Sequence, residues 1–236
     1  MTDSGNGKLT VLKFQSSGTP QKSYVKCGNN PALKFDGSEP YTLTARIFLK
    51  DGNGTIMSSG LGSHWDGSGD VKGYCVLPLG DRLRAYRAAE PYDCDTDKIS
   101  YLNRWVHIII TFDSGTYSVY LDGKLAKTVS GFQPIESGPA DLEFLIGTMY
   151  RGDISSIGNC FGYALIHSMA VLSTGVTETD VPKVMALSSN NADYPIVALW
   201  DFTTKTAKDL SGNGNDGTLM GTAEFIEVEI PDESNI

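Results

Sequence analysis

The sequence predicts an all-β protein, a two-sheet antiparallel β-sandwich of the jelly-roll kind with one short helix near residues 177–187. Stretches in which apolar and polar residues alternate recur along the chain, as half-buried strands require. Turn residues separate these stretches roughly every ten residues, which is typical of a sandwich. The 236 residues also include 26 glycines, which suits a chain with many tight turns.

Residues 103–129 are the clearest of these stretches and predict three antiparallel strands. Apolar residues at alternate positions place one face of each strand in the core. Asp113-Ser114-Gly115 supplies the first turn, and Asp122-Gly123 supplies the second, because a two-residue hairpin turn favours residues that accept positive φ. We therefore predict a β-meander and a core that contains Tyr41, Leu43, Ile47, Val106, Ile108, Ile110, Phe112 and Val119.

The other predicted elements follow from the same alternation and from their flanking turns. The helix is predicted to begin after Thr177, as its N-cap, and to run to about Leu187. The remaining strands are predicted at residues 8–14, 32–35, 41–49, 55–59, 73–79, 82–87, 142–147, 161–172, 196–202 and 223–229.

The chain reads as one domain over residues 8–230, because no linker-like change in composition divides it. The polar segments 1–7 and 231–236 are expected to be disordered. A net charge of −9 argues against nucleic acid and anionic membrane surfaces as partners. No apolar run approaches the ~18 residues that span a membrane, so we expect no membrane insertion by this chain. The first residues lack the basic and apolar regions of a signal peptide.

Four cysteines, at widely spaced positions, leave two interpretations open. No Cys-x-x-Cys pair occurs, so neither a zinc site nor a redox dithiol is expected. In an oxidising compartment the even number allows two disulfides with three possible pairings. Alternatively, the four remain unpaired as small buried residues. They are Cys27, Cys75, Cys94 and Cys160.

Several motifs together resemble the laminin G-like modules of the concanavalin A-like lectin/glucanase superfamily, notably those of bacterial surface proteins of the Bacteroidetes. The central meander matches the pattern W-x-H-x-x-x-T-F-D…Y-x-V-Y-L-D-G-K. In the opening motif, Arg46 stands where the family usually has tryptophan. The supporting segments are residues 35–37 with 41–45, 145–147, 161–171, 177–181, and 199–202 with 209–217. The resemblance implies a concanavalin A-like sandwich.

The superfamily also contains enzymes, so the sequence must be tested for catalytic residues. A retaining glycosidase needs two carboxyl groups about 5–5.5 Å apart. The nearest candidate is Asp141-Leu-Glu143, which lacks the third carboxylate of the family motif, and residues 82–87 are only loosely similar to a polysaccharide lyase site. We therefore expect a non-catalytic, extracytoplasmic module that binds carbohydrate or another cell-surface ligand. A glycoside hydrolase or lyase, and a scaffold module of a larger surface protein, are the alternatives.

A polar loop over residues 60–70 is the first candidate ligand site. It combines the aromatic ring of Trp65 with the polar side chains of His64, Asp66 and Asp70. Sugars are bound by stacking on an aromatic face while polar groups bond their hydroxyls. The alternative is that Trp65 folds back to cap the sheet.

Arg82, Arg84 and Tyr86 form a second candidate, because alternation places them on one strand face. This basic and aromatic stripe on an acidic protein could meet an acidic glycan or a sulfate. The alternative is an ordinary solvated sheet face.

A glycine-rich loop near the end of the chain is the candidate metal site. Asp209, Ser211, Asn213 and Asn215 place oxygen-bearing side chains at alternate positions. Calcium is bound by six to eight such oxygens in flexible loops. Calcium is therefore a possible cofactor, and the alternative is a series of turns that the Asn and Asp side chains cap.

Overall fold

The computed structural model describes residues 7–15, 22–61, 72–87, 93–135, 139–151, 153–158, 160–188 and 193–229. Its strands form two sheets that pack face to face, as predicted. Sheet A contains, from edge to edge, β10 (Lys124–Ser130), β9 (Thr116–Leu121), β8 (Trp105–Asp113), β3 (Tyr41–Leu49), β14 (Tyr163–Leu172), β1 (Lys8–Gln15) and β17 (Glu224–Glu229), with β15 (Ile196–Asp201) also paired to β14.

Sheet B is formed by shorter strands. In order they are β16 (Thr218–Met220), β2 (Tyr24–Lys26), β11 (Leu145–Ile146), β4 (Met57–Leu61), β5 (Lys72–Leu79), β6 (Arg82–Arg87) and β7 (Asp93–Asp95). A further hairpin, β12 (Met149–Arg151) with β13 (Asp153–Gly158), joins the sheet through one parallel pair of Tyr150 with Leu61. The other named strand pairs are antiparallel, as a sandwich of this kind requires.

The core lies between the two sheets and confirms the predicted register. All eight residues named above are buried there, with exposed fractions of 0–2%. The meander is also confirmed, as β8, β9 and β10. Its two turns hold Ser114 and Gly115 at φ of 48° and 73°, and Asp122 and Gly123 at 48° and 82°. Positive φ at both positions is the geometry of a type I′ hairpin.

Two predicted elements are wrong in detail. Residues 32–35 were predicted as a strand, but Pro31–Leu33 forms a 3-10 helix. Pro31 presets the helical φ, and the Asn30 side chain accepts a hydrogen bond from the Ala32 amide at 3.0 Å. Residues 142–147 contribute only the two-residue strand β11.

The helix α1 is shorter than predicted and spans Val181–Met185. Thr177 is not its N-cap. Instead, the amide and hydroxyl of Thr177 both donate to Asp180 Oδ2, at 2.9 and 2.6 Å, and Asp180 occupies the cap position. The carboxylate thus closes a turn before the helix, and Pro182 follows within its first positions.

Two different strands, β1 and β15, pair in succession with one edge of β14. Residues Tyr163 to Ile166 of β14 pair with β1, whereas Ser168 to Leu172 pair with β15. Between them, His167 is the extra residue of a β-bulge, because Ile166 pairs with Ile47 and Ser168 pairs with Arg46. We call this division the fork of sheet A. Bulges of this kind redirect side chains.

The four cysteines form no disulfide in this structure. Cys94 packs in the core between the sheets, whereas Cys75 lies on the outer face of sheet B, so the side chains of these two point to opposite faces. Within the described residues, no helix is both long and apolar enough to cross a membrane. The segments predicted to be disordered lie, except for Gly7, outside the described residues, so that prediction stays open.

Candidate functional site

One end of sheet B gathers the ends of four neighbouring strands. The last residue of β4, Leu61, pairs with the first of β5, Lys72. Likewise, β6 ends at Arg87 beside the start of β7 at Asp93. We call this edge the loop end of sheet B. The predicted sugar-binding residues His64, Trp65, Asp66 and Asp70 lie outside the described residues, on a segment that leaves and rejoins the sheet at this end.

The predicted basic stripe lies on the outer face of β6, as alternation requires. Arg84 binds Asp95 on β7 through two hydrogen bonds, from Nε at 2.7 Å and Nη2 at 2.8 Å. Such a two-pronged pair neutralises the charge and holds both side chains. Tyr86 is buried beside Cys75 and Leu77. Arg82 is the exposed member, so the stripe offers less positive charge than the sequence indicates.

Arg87 is a buried cation at the loop end that sequence reasoning missed as a site residue. It is fully buried, on the inner side of β6 together with Leu83 and Ala85. Its guanidinium lies 4.5 Å from the ring centre of Phe112, and Nη2 donates to the carbonyl of Gln133 at 2.7 Å. Within the part of the chain that the structure describes, its Nε and Nη1 have no hydrogen-bond partner. The alternation of Leu83, Ala85 and Arg87 is the signal that could have found it.

The Arg87 guanidinium lies over two rings, 4.5 Å from the ring centre of Phe112 and 5.7 Å from that of Phe132. The hydroxyls of Tyr41 and Tyr117 are hydrogen-bonded to each other. Tyr41 stacks on Phe35 at 4.5 Å between ring centres, and burial raises the pKa of Tyr41 to about 12. Tyr41 therefore stays neutral at physiological pH, and the faces of Phe112 and Phe132 supply attraction to the cation.

The candidate metal loop is closed by the Asp209 carboxylate. Its Oδ1 accepts from the amides of Leu199 and Ser211, at 3.0 and 2.9 Å. Its Oδ2 accepts from the amide and the side-chain nitrogen of Asn215, at 2.9 and 3.0 Å. Burial alone would raise the pKa of Asp209, but these hydrogen bonds outweigh it and lower the pKa.

The other predicted ligands of the loop also face hydrogen-bond partners. The side chains of Ser211, Asn213 and Asn215 all donate to the carbonyl of Val197, at 3.1, 3.0 and 2.8 Å. They thereby fasten the loop to β15. A cation here would have to replace N–H donors around Asp209, and among the described residues no group of three His, Cys, Asp or Glu side chains could hold a metal. Calcium binding at this loop stays a prediction.

Glu143 of the candidate catalytic pair is bonded to two neighbouring side chains. Glu143 accepts from Lys26 Nζ at 2.8 Å and from the Tyr150 hydroxyl at 2.7 Å. Burial alone would raise the pKa of Glu143, but these partners lower it, so the carboxyl is a poor proton donor. Asp141 is exposed in the turn before it.

This chain belongs to the concanavalin A-like lectin/glucanase superfamily: a laminin G-type family model with that description matches residues 18–181. No curated protein matches the sequence. Among solved structures, a Bacteroides ovatus protein provisionally assigned as carbohydrate-binding is similar, with a TM-score of 0.66 and 17% identity over 95% of this chain. The chain spans 61% of that protein's length.

Two further solved structures share the fold. A heptameric SAP-like pentraxin from Limulus polyphemus has a TM-score of 0.57 and 14% identity, and the match covers 93% of this chain and 94% of the pentraxin. Botulinum neurotoxin type C, whose cell entry depends on two ganglioside molecules, has a TM-score of 0.50 and 15% identity over 76% of this chain and 42% of the toxin. At these identities the similarity shows the fold alone.

Proposed function

We propose that this chain is a non-catalytic, extracytoplasmic module that binds carbohydrate at the loop end of sheet B. The observation that carries the proposal combines two findings. The chain has a lectin-like sandwich fold, and in its candidate catalytic pair, Asp141 and Glu143, the Glu143 carboxylate is already bonded to Lys26 and Tyr150. Two of its structural neighbours, the Bacteroides ovatus protein and the neurotoxin, are themselves described as binding carbohydrate or ganglioside. Those descriptions support the ligand class and an extracellular or surface location.

We propose the loop end as the ligand site because the segment that connects β4 to β5 contains one aromatic residue and several polar ones. The segment that carries His64, Trp65, Asp66 and Asp70 connects β4 to β5 there. Loops on a rigid sheet are where binding residues concentrate in such folds. In this proposal Trp65 stacks on a sugar ring while the carboxylates and the imidazole bond its hydroxyls.

The scaffold alternative finds little support on the described surface. An interaction surface for a protein partner normally presents a contiguous apolar patch. The large apolar side chains that are exposed in the described part of the chain are Leu125, at 50%, and Ile154, at 41%. They lie on β10 and β13, in different sheets, and so form no common patch.

A glycan array tests the proposal directly. We expect the wild-type chain to bind a subset of glycans, and Trp65→Ala to abolish binding at the loop end while changing the melting temperature little. Phe225→Ala, which removes a partly buried ring on the far edge of sheet A, is the matched control and should keep binding. If Trp65→Ala instead unfolds the protein at a much lower temperature, Trp65 caps the sheet. If no glycan is bound, the proposed function is wrong.

A further inference from the structure

One tripeptide in the chain has the sequence that marks an asparagine for N-linked glycosylation. Asn53-Gly54-Thr55 fits the pattern Asn-x-Ser/Thr, in which x is any residue except proline. No other asparagine of the sequence is followed two positions later by serine or threonine. An asparagine that carries a glycan has to lie in a surface segment of the folded protein, so the structure can test this pattern.

The turn that carries Asn53 joins β3 to β4 and is anchored to the sandwich on both sides of this residue. Before it, the Gly52 carbonyl accepts from the Gly80 amide at 2.9 Å, and a Cβ at Gly52 would lie 2.3 Å from the Gly80 carbonyl oxygen. After it, a Cβ at Gly54 would lie 2.3 Å from the ring of Phe161. Both positions therefore require glycine, and Asn53 is held between two fixed points.

Asn53 is the exposed residue of a segment that is otherwise buried from Gly52 to Gly60. Its backbone amide donates to the Asp51 carboxylate at 3.2 Å, which closes the turn. Its side-chain amide forms no hydrogen bond with another residue in the described part of the chain. A glycan is a bulky hydrophilic group that is joined to this side-chain nitrogen. At Asn53 it would extend into solvent without displacing a packed side chain.

The threonine of the tripeptide is buried, in contrast to the asparagine. Thr55 is fully buried just before β4, and the amide of the next residue, Ile56, donates to the Val76 carbonyl on β5 at 2.8 Å. The modifying enzyme has to recognise the asparagine together with this hydroxyl residue. Thr55 is accessible only before β4 packs against β5, so a glycan would have to be added before this part of the sandwich folds.

The Asn53 turn lies at the opposite end of sheet B from the loop end. Strand β5 begins at the loop end with Lys72 and ends at Leu79, directly before Gly80, which is bonded to Gly52. Its 8 residues, at about 3.3 Å each, separate the two ends by about 26 Å. A glycan on Asn53 would therefore cover the far end of the sandwich and leave the proposed carbohydrate-binding end free.

We propose that Asn53 is an N-glycosylation site, modified during export and placed so that the loop end stays free. The donor is an oligosaccharide carried on a lipid diphosphate. A bond forms between the Asn53 side-chain nitrogen and C1 of the first sugar, the bond from that carbon to the diphosphate oxygen breaks, and the nitrogen loses one proton. The inference rests on the export that is part of the proposed function, but it does not depend on which ligand the loop end binds.

Secretion of the full chain from a eukaryotic host, behind a cleavable signal peptide, tests the inference. We expect the purified protein to carry one oligosaccharide. An amidase that releases N-linked glycans in heavy-oxygen water leaves a labelled aspartate, and peptide mass spectrometry should place this label at position 53. Asn213-Gly214-Asn215 is an internal control, because Asn213 is exposed and precedes glycine but lacks the hydroxyl residue, so it should carry no label. A secreted chain that is unmodified at Asn53 would overturn the inference.

Two variants and a glycan array separate this inference from the proposed function. Asn53→Gln should lose the oligosaccharide, and Thr55→Ser, which preserves the pattern, should keep it. The affinity of Asn53→Gln for an array ligand should stay within about twofold of wild type, because about 26 Å separate the turn from the loop end. A larger change would show that the glycan reaches the loop end, which contradicts the proposed placement.

The two results can also differ for the wild-type chain. If the secreted chain binds array glycans but is unmodified at Asn53, the inference fails and the proposed function survives. If Asn53 is modified and no array glycan is bound, the inference survives and the proposed carbohydrate binding fails. If neither is found, both fail.

Discussion

Asp209 and Asn215 are joined twice, because one carboxylate oxygen of Asp209 accepts both the backbone and the side-chain N–H of Asn215, at 2.9 and 3.0 Å. Asn215 also accepts from the Trp200 indole through its carbonyl, at 2.9 Å. Trp200 is fully buried in the core, stacked on Phe144. The pair therefore links the late glycine-rich loop to the centre of the sandwich.

Asp209→Asn should destabilise the protein although it alters a single atom. Whichever way the new amide is turned, its NH2 group faces backbone or side-chain donors instead of accepting from them. Leaving buried donors unpaired costs about 1–3 kcal/mol each, so we expect the free energy of unfolding to fall by about 3 kcal/mol. Urea denaturation measures this. Asp216→Asn is the matched control: Asp216 is exposed, and an amide oxygen can still accept from the Asp209 amide.

The calcium prediction for this loop is tested by thermal unfolding with and without the ion. If Asp209, Ser211, Asn213 and Asn215 bind calcium, the melting temperature should rise with calcium concentration, because the ion stabilises only the folded state. Asp209→Ala should remove that increment. A wild-type melting temperature that does not respond to millimolar calcium, or a response that persists in Asp209→Ala, would contradict a site at this loop.

Arg87→Met should leave the free energy of unfolding within about 1 kcal/mol of wild type, because a buried cation can often be replaced by an apolar side chain of similar volume, and no carboxylate among the described residues pairs with Arg87. Arg87→Ala should lower it by about 3 kcal/mol through the cavity left between Phe112 and Phe132. The two variants are compared by urea denaturation. A methionine variant as unstable as the alanine variant would show that the hydrogen bonds to Asp36 and Gln133 dominate.

His107 should make the protein less stable as the pH falls below about 6.5. Burial, and then the charge of Arg46, lowers the pKa of His107 to about 4, whereas an unfolded histidine titrates near 6.5. Between these values the unfolded state binds more protons, so the free energy of unfolding rises with pH across that window. His107→Gln should lose less stability between pH 7 and pH 5 than wild type in urea denaturation. Equal losses would place the titrating group elsewhere.

Strict alternation made the meander predictable, because β8, β9 and β10 are neighbours in sequence as well as in the sheet. Ile108 and Ile110 could only be buried if the register placed them between the sheets, and they are. The short strands β2, β7, β12, β13 and β16 could not be found in this way. These strands are only three to six residues long, too short for an alternating pattern to show. In addition, β2 and β16 are formed by pairing with distant segments, as β2 pairs with both β11 and β16, and local sequence carries no record of a distant partner.

The candidate sites, like the strands, could be predicted from the sequence only in part. The oxygen-rich spacing of Asp209, Ser211, Asn213 and Asn215 was visible in the sequence, but spacing alone does not show that amide donors occupy those oxygens. The polar cluster of His107, Arg46 and His167 could not be found from the sequence, because its members are far apart in the chain and meet only through the register of β8, β3 and β14. His167 in particular is placed by a bulge, and no local rule predicted the extra residue.

The position of β1 has a consequence for how the chain folds. This first strand lies between β14 and the last strand, β17, with Lys8 opposite Glu229. The meander can close as soon as its own residues have been synthesised, whereas sheet A cannot be completed until Glu229 is available. Pairings between distant segments form slowly. On the ribosome, one edge of β1 must therefore stay open until β17 has been synthesised, and unpaired strand edges of this kind favour misassembly of a nascent chain.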